Sequence, residues 1–152
     1  MFAQSATYQS SGLPIPRFVS LSKDEVNVRA GPGKQYPVKW VMMRKGLPVE
    51  VVLEFEHWRK VKDHEGQEGW VYHTLLSGKR TALILGDDNV AAYEKETFSS
   101  NKKVRINIYL EPFSKVNVEK CVPQSCLVSA VGYSGWVERK SLWGVYEHEN
   151  ID

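Results

Sequence analysis

The sequence predicts an all-β chain built as two small barrels in tandem. Three observations carry that prediction. The hexapeptide GQEGWV at 66–71 recurs as GYSGWV at 132–137. Short runs alternating apolar and polar residues follow one another along the chain, closely punctuated by Gly, Pro, Asn and Asp. Only His73 to Leu76 reads as a helical turn.

The repeat extends beyond the hexapeptide. At the same offset of 66 positions, Leu76 falls on Leu142 and Gly78 on Gly144. Upstream, Val61 falls on Leu127 and Val52 on Val118. The two stretches share G-x-x-G-W-V-x4-L-x-G, which points to a unit of about 60 residues used twice.

In the first copy, Val26 to Arg29 alternates as a half-buried strand, and Ala30-Gly31-Pro32-Gly33 stops it. Val38 to Met43 is a second strand. Lys45 to Pro48 is a turn, since a proline excludes a helix interior. Val49 to Phe55 and Trp58 to Lys62 are the next strands, Asp63 to Gly66 a turn, and Gly69 to Tyr72 the closing strand. In the second copy, strands are predicted over Val90–Tyr93, Val104–Leu110, Val116–Val122 and Cys126–Val131, with Gly135 to Val137 closing the unit. Ser77 to Arg80 reads as a short linker, and Thr81 to Leu85 could pair with either copy. Closely spaced short strands of this kind describe small antiparallel barrels. The predicted organisation is an extended leader over 1–19, one barrel over 20–78, a second over 79–147 and a tail over 148–152.

Composition narrows the function. Apolar residues at 42% and charged residues at 25% fit a globular chain. A net charge of +2, with its basic residues scattered, argues against nucleic acid. No apolar run approaches the roughly 20 residues needed to span a bilayer as a helix, so membrane insertion is not expected. At the N-terminus, Phe2-Ala3 before Gln4 looks like the tail of a signal-peptidase site, the alternative being an ordinary disordered terminus.

Cys121 and Cys126 flank Val122-Pro123-Gln124-Ser125, a tight turn between two apolar runs. Residues facing each other at the mouth of such a hairpin lie within disulfide range, about 4.5–5.5 Å between Cα atoms. The reading favours a disulfide, and with it an oxidising compartment, over a pair of reduced thiols. No second Cys or His pair stands at zinc-ligand spacing.

Two stretches carry a resemblance. Val26 to Gly33, NVR followed by AGPG, resembles the opening of bacterial SH3-like domains, and Gly-x-x-Gly-Trp-Val is similar to that family's closing strand. The match is closer to exported tandem-domain proteins of the Rhizobiales type, through GLPVEVV at 46–52, FEHWRKV at 55–61 and LWGVY at 142–146. The second copy lacks the NVR opening. The resemblance implies two tandem SH3-like barrels, export to the periplasm or beyond, and a non-catalytic role in recognising cell-wall peptidoglycan or peptides of envelope proteins. An adaptor that scaffolds envelope proteins is the alternative.

No catalytic residue is predicted. A thiol peptidase built on Cys126 needs a free thiolate and an aligned base. Gly31-Pro32-Gly33-Lys34 is a turn rather than a phosphate loop, because the spacing is wrong and Pro32 removes an amide. His57, His64, His73 and His148 are scattered, so no metal or other cofactor is expected. The first copy holds Tyr36, Trp40, Phe55, Trp58, Trp70 and Tyr72. A barrel this small hides only about 60% of its unfolded surface, so some rings should face a groove. Arg29, Tyr36, Trp40 and Trp58 are the predicted ligand-facing cluster, against the alternative that all pack in the core or between barrels. Trp70 and Trp136 are read as structural.

Overall fold

A computed structural model describes residues 10–96 and 104–152. The signal-peptidase-like stretch at Phe2-Ala3 lies outside the described residues. The chain divides into two compact units between Lys79 and Arg80.

In the first unit the strands are β1 (Arg17–Leu21), β2 (Glu25–Arg29), β3 (Val38–Met43), β4 (Pro48–Phe55), β5 (Trp58–Lys62), β6 (Glu68–Tyr72) and β7 (Leu76–Ser77). The second has β8 (Thr81–Ile84), β9 (Val90–Tyr93), β10 (Ile106–Leu110), β11 (Lys115–Cys121), β12 (Ser125–Ala130), β13 (Tyr133–Glu138) and β14 (Leu142–Trp143). Spatial order is β3-β2-β6-β5-β4-β1-β7 in one sheet and β10-β9-β13-β12-β11-β8-β14 in the other. The two orders are the same pattern shifted by seven strands, so the duplication read from sequence holds at the level of topology. Both units are antiparallel and SH3-like and, among the described residues, almost free of helix, with one 3-10 turn before the last strand of each, His73–Leu75 and Arg139–Ser141. Thr81 to Ile84 joins the second sheet, pairing with β11 and β14.

Equivalent strands also carry equivalent irregularities. The register shifts between Val51 and Leu53 in β4 and between Val118 and Lys120 in β11. A bulge adds twist and bends a strand, which helps a seven-stranded sheet curl over its own core. That core is filled by the inward half of each alternation. Val26, Val28, Val49, Val51, Val61 and Val71 are fully buried in the first unit, as are Ala82, Ile84, Ala92 and Val137 in the second. Each buried valine contributes about 1.5–3 kcal/mol relative to exposure.

The recurring hexapeptide now has a physical reading. Its first glycine, Gly66 or Gly132, sits at φ of +87° or +84°, a conformation that strains any side chain. Its second, Gly69 or Gly135, lets β6 close on β2 and β13 on β9. A Cβ at Gly69 would lie 2.3 Å from Val28 Cγ1, and one at Gly135 2.7 Å from Ala92 Cβ. The valines, Val71 and Val137, are fully buried.

Two expected boundaries change. The leader predicted over 1–19 is strand by Arg17, where β1 pairs with β4 and β7. Phe18, Val19, Ser20 and Leu21 are all buried, so β1 is covered on both faces and shows no period of two. The tail predicted at 148–152 is tied into the second unit. Glu149 accepts from the Arg80 guanidinium at 2.8 Å, and Ile151 bridges to Cys121.

Cys121 and Cys126 are register partners in the β11–β12 hairpin and form a disulfide. Closing so short a loop restricts the unfolded chain by about 2 kcal/mol. Reduction and alkylation in denaturant, followed by refolding, should therefore lower the unfolding free energy by about that amount. Urea titrations of the two forms would measure it, and superimposable curves would refute it.

Candidate functional site

The outward half of the alternation in the first unit builds the candidate site. In β2, Val26 and Val28 point into the core while Asn27 and Arg29 point out. In β6, Gly69 and Val71 are buried while Trp70 and Tyr72 are half-exposed. Trp58 and Lys60 take the same outer side of β5. Register then assembles two cross-strand rows. Arg29 lies opposite Trp70, which lies opposite Lys60. Continuing the β2–β6 register by two residues places Asn27 opposite Tyr72, whose other partner is Trp58.

The second row lines a cleft of about 380 Å³. Asn27, Tyr72 and Trp58 line it from the sheet, with Arg29 and Lys34 contributing positive charge and Thr74 and Leu75 from the 3-10 turn. The Trp58 and Tyr72 rings meet edge to face, centroids 5.3 Å apart at 76°. Such a pair is worth about 0.5–1.5 kcal/mol beyond its buried area and holds both rings in place. His57 and His73 lie beside Tyr72, with their own centroids 5.4 Å apart. Burial, reinforced by Arg59 and by His57, holds His73 below the ordinary imidazole pKa.

Arg29 has a second task. Its Nη1 donates to the carbonyls of Lys34 at 3.3 Å and Tyr36 at 3.0 Å, which braces the loop between β2 and β3. That loop is further closed by Ala30 N–H donating to Pro37 O and Tyr36 N–H to Gly33 O.

Of the four residues predicted to face a ligand, Arg29 and Trp58 converge on the cleft, and two do not. Tyr36 is 40% exposed, but its ring lies over Gly31, where a Cβ would sit 2.5 Å from it. Trp40 pairs with Val28 across β2–β3 and packs against the core, because cross-strand partners share a face. Trp70, read as structural, takes the outer face beside Arg29; the core residue of its motif is Val71. Sequence reasoning missed Asn27, Lys34, Tyr72 and Thr74. The alternation in EVNVR and EGWVY already placed Asn27 and Tyr72 on the outer face.

The second unit has a cleft on the corresponding side. Glu138 and Lys140, the counterparts of Tyr72 and Thr74, line a space of about 840 Å³ together with Gln124 of the disulfide loop, and Glu138 pairs with the buried Ser125 where Tyr72 pairs with Trp58. There the aromatic pair is absent. The buried Arg139 guanidinium instead holds the disulfide loop, donating to Pro123 O at 3.2 Å and to Val122 O, and ties it to the C-terminal segment by donating to Tyr146 O at 2.7 Å. Cys126 is bonded to Cys121, so its sulfur is not a thiolate nucleophile. Among the described residues, no group of three or more His, Cys, Asp or Glu side chains is arranged to hold a metal ion. Among them, too, no helix is long and apolar enough to cross a membrane.

Comparison with known proteins adds three findings. No match emerged among curated proteins. Two solved structures from Trichomonas vaginalis are similar, NlpC2 and NlpC1, each 12% identical with a TM-score of 0.38. They cover 88% and 95% of this chain, which spans about half of theirs, 50% and 51%. Residues 22–78 match the family model of the bacterial SH3 domain, and that span takes in every residue lining the first-unit cleft.

Proposed function

We propose that this chain is a non-catalytic, exported binding module of the tandem SH3-like type, and that its first-unit cleft recognises a peptidoglycan peptide or another envelope component. One observation carries the reading. Trp58, Tyr72, Asn27 and Arg29 surround a single cleft on the outer sheet face, within the span that matches the bacterial SH3 domain. Aromatic walls with a few polar anchors suit an extended peptide or a glycan. The disulfide supports an oxidising compartment, and so the periplasm or the cell exterior.

Sedimentation with purified sacculi tests the reading. Wild-type protein should co-sediment, and Trp58→Ala should weaken capture by about tenfold or more, as expected for a central aromatic anchor. No capture of the wild type would sink the cell-wall target.

One feature favours the second reading, an adaptor between envelope proteins. Strand β3 is a sheet edge carrying Val38, Val41 and Met43 at 41%, 42% and 59% exposure. An apolar edge strand can accept an extended segment of a partner. Wild-type protein that ignores sacculi, with Trp58 intact, would favour this reading.

A further inference from the structure

We propose that the first-unit cleft is an anion site: it takes a carboxylate-bearing peptide end, with Arg29 and Lys34 gripping the carboxylate and Trp58 and Tyr72 walling the adjoining side chain. The inference rests on the reading that this cleft is the binding site, and adds the chemistry of its ligand.

The lining is charged with one sign only. Among the described residues, Arg29 and Lys34 are its two basic lining residues, and no carboxylate borders the space. The nearby acid of β6, Glu68, is paired with Lys60 at 3.3 Å. Arg29 is already oriented, since its Nη1 is fixed by the carbonyls of Lys34 and Tyr36. Among the described residues, no hydrogen bond engages its Nη2 or Nε. A guanidinium carries five donors in a planar fork, and the free edge of that fork matches the two oxygens of a carboxylate. Lys34 forms no ion pair among the described residues and adds a second positive charge. Asn27 and Thr74 supply neutral polar contacts for the peptide unit behind the carboxylate. Size points the same way. About 380 Å³ is near the lower end of ligand pockets, roughly 300–1,000 Å³, and suits a chain end better than a long segment.

The second unit supplies the contrast. Its cleft borders on Glu138 and Glu147 as well as Arg139, Lys140 and His148, and the buried Ser125 stands at the tryptophan's register position. Mixed charge without an aromatic wall gives it no preference for an anion. The chemistry therefore belongs to the first copy alone.

The full chain, labelled with ¹⁵N, can be titrated with N-acetyl-alanyl-alanine and with the same dipeptide as its C-terminal amide. The acid should shift the Trp58 indole N–H, assigned by its loss in Trp58→Phe. It should bind about tenfold more tightly than the amide, the scale of a charge-assisted hydrogen bond. Lys34→Gln and Arg29→Gln should each erase most of that difference, and added salt should shrink it. Lys34→Gln keeps the test valid if Arg29→Gln loosens the loop. Equal binding of acid and amide would overturn the proposal, as would no response of Trp58 to either. The sacculus assay is separate. Trp58-dependent capture with equal dipeptide binding removes the anion site and leaves the cell-wall reading. A Trp58 response to the acid without sacculus capture does the reverse.

Discussion

A Glu54→Ala variant is expected to lose about 3–5 kcal/mol of unfolding free energy, the cost of leaving buried charge unpaired. Glu54 is 1% exposed, and its side chain is the centre of a charge cluster at the end of β4. Arg17 approaches at 2.8 Å and Arg59 at 3.3 Å, while Ser11 donates through its amide at 2.9 Å and its hydroxyl at 2.7 Å. Burial pushes the carboxyl up, but Ser11, Arg17 and Arg59 together outweigh it, and the pKa falls below its ordinary 4.5. Removing the carboxylate strands two arginines whose side chains are 16% and 9% exposed. The sign of the pH dependence follows. With the folded-state pKa depressed, the stabilisation is complete above about 4.5 and is lost as pH falls through the folded value. Urea unfolding of wild type and Glu54→Gln between neutral and acid pH should converge as pH drops. Curves that stay parallel would show that Glu54 does not carry the acid sensitivity. The same cluster ties Ser11 and Arg17 to β4, so the segment before β2 belongs to the barrel.

That segment marks where the sequence could and could not be read. Alternation exposed β2, β5 and β6 because one side of each is core and the other is solvent. It failed at β1, whose residues from Phe18 to Leu21 are all buried, and Pro14 and Pro16 biased the reading toward an extended leader. The repeat was legible because glycine geometry and buried valines impose the same residues on both copies. The cleft was half legible. Arg29 and Trp58 sit on alternating strands whose outer faces can be assigned. Trp40 misled because VKWVMM is apolar on both faces, with Val41 and Met43 exposed and Trp40 and Met42 facing the core, so no alternation orients the ring. The face was settled only by its pairing with Val28. Glu54 gave no signal at all, since the residues that justify its burial come from Ser11, Arg17 and Arg59. Long-range pairing of charge leaves no local period to find.

The two closing-strand glycines should respond differently to the same added methyl group, with Gly135→Ala the more damaging at about 3 kcal/mol, the upper range for overpacking. At Gly69 the new Cβ meets Val28 Cγ1 at 2.3 Å, while the nearest backbone atom, Arg29 O, stands off at 3.2 Å. The main obstacle is one methyl group of a side chain. At Gly135 the obstacles are Ala92 Cβ at 2.7 Å, its carbonyl carbon at 2.9 Å and its oxygen at 3.0 Å. Strand β9 itself must move, and with it the β9–β13 pairing that closes the second sheet. Double-mutant cycles separate the two cases. Val28→Ala deletes the clashing methyl group, so Gly69→Ala should cost clearly less in that background, with a favourable coupling of about 1–3 kcal/mol. Ala92→Gly removes only the Cβ, and the backbone contacts persist, so rescue of Gly135→Ala should be small. Full rescue by Ala92→Gly would show that side-chain crowding alone demands the glycine. Little rescue places the demand on the backbone, where β13 and β9 approach too closely for any residue but glycine.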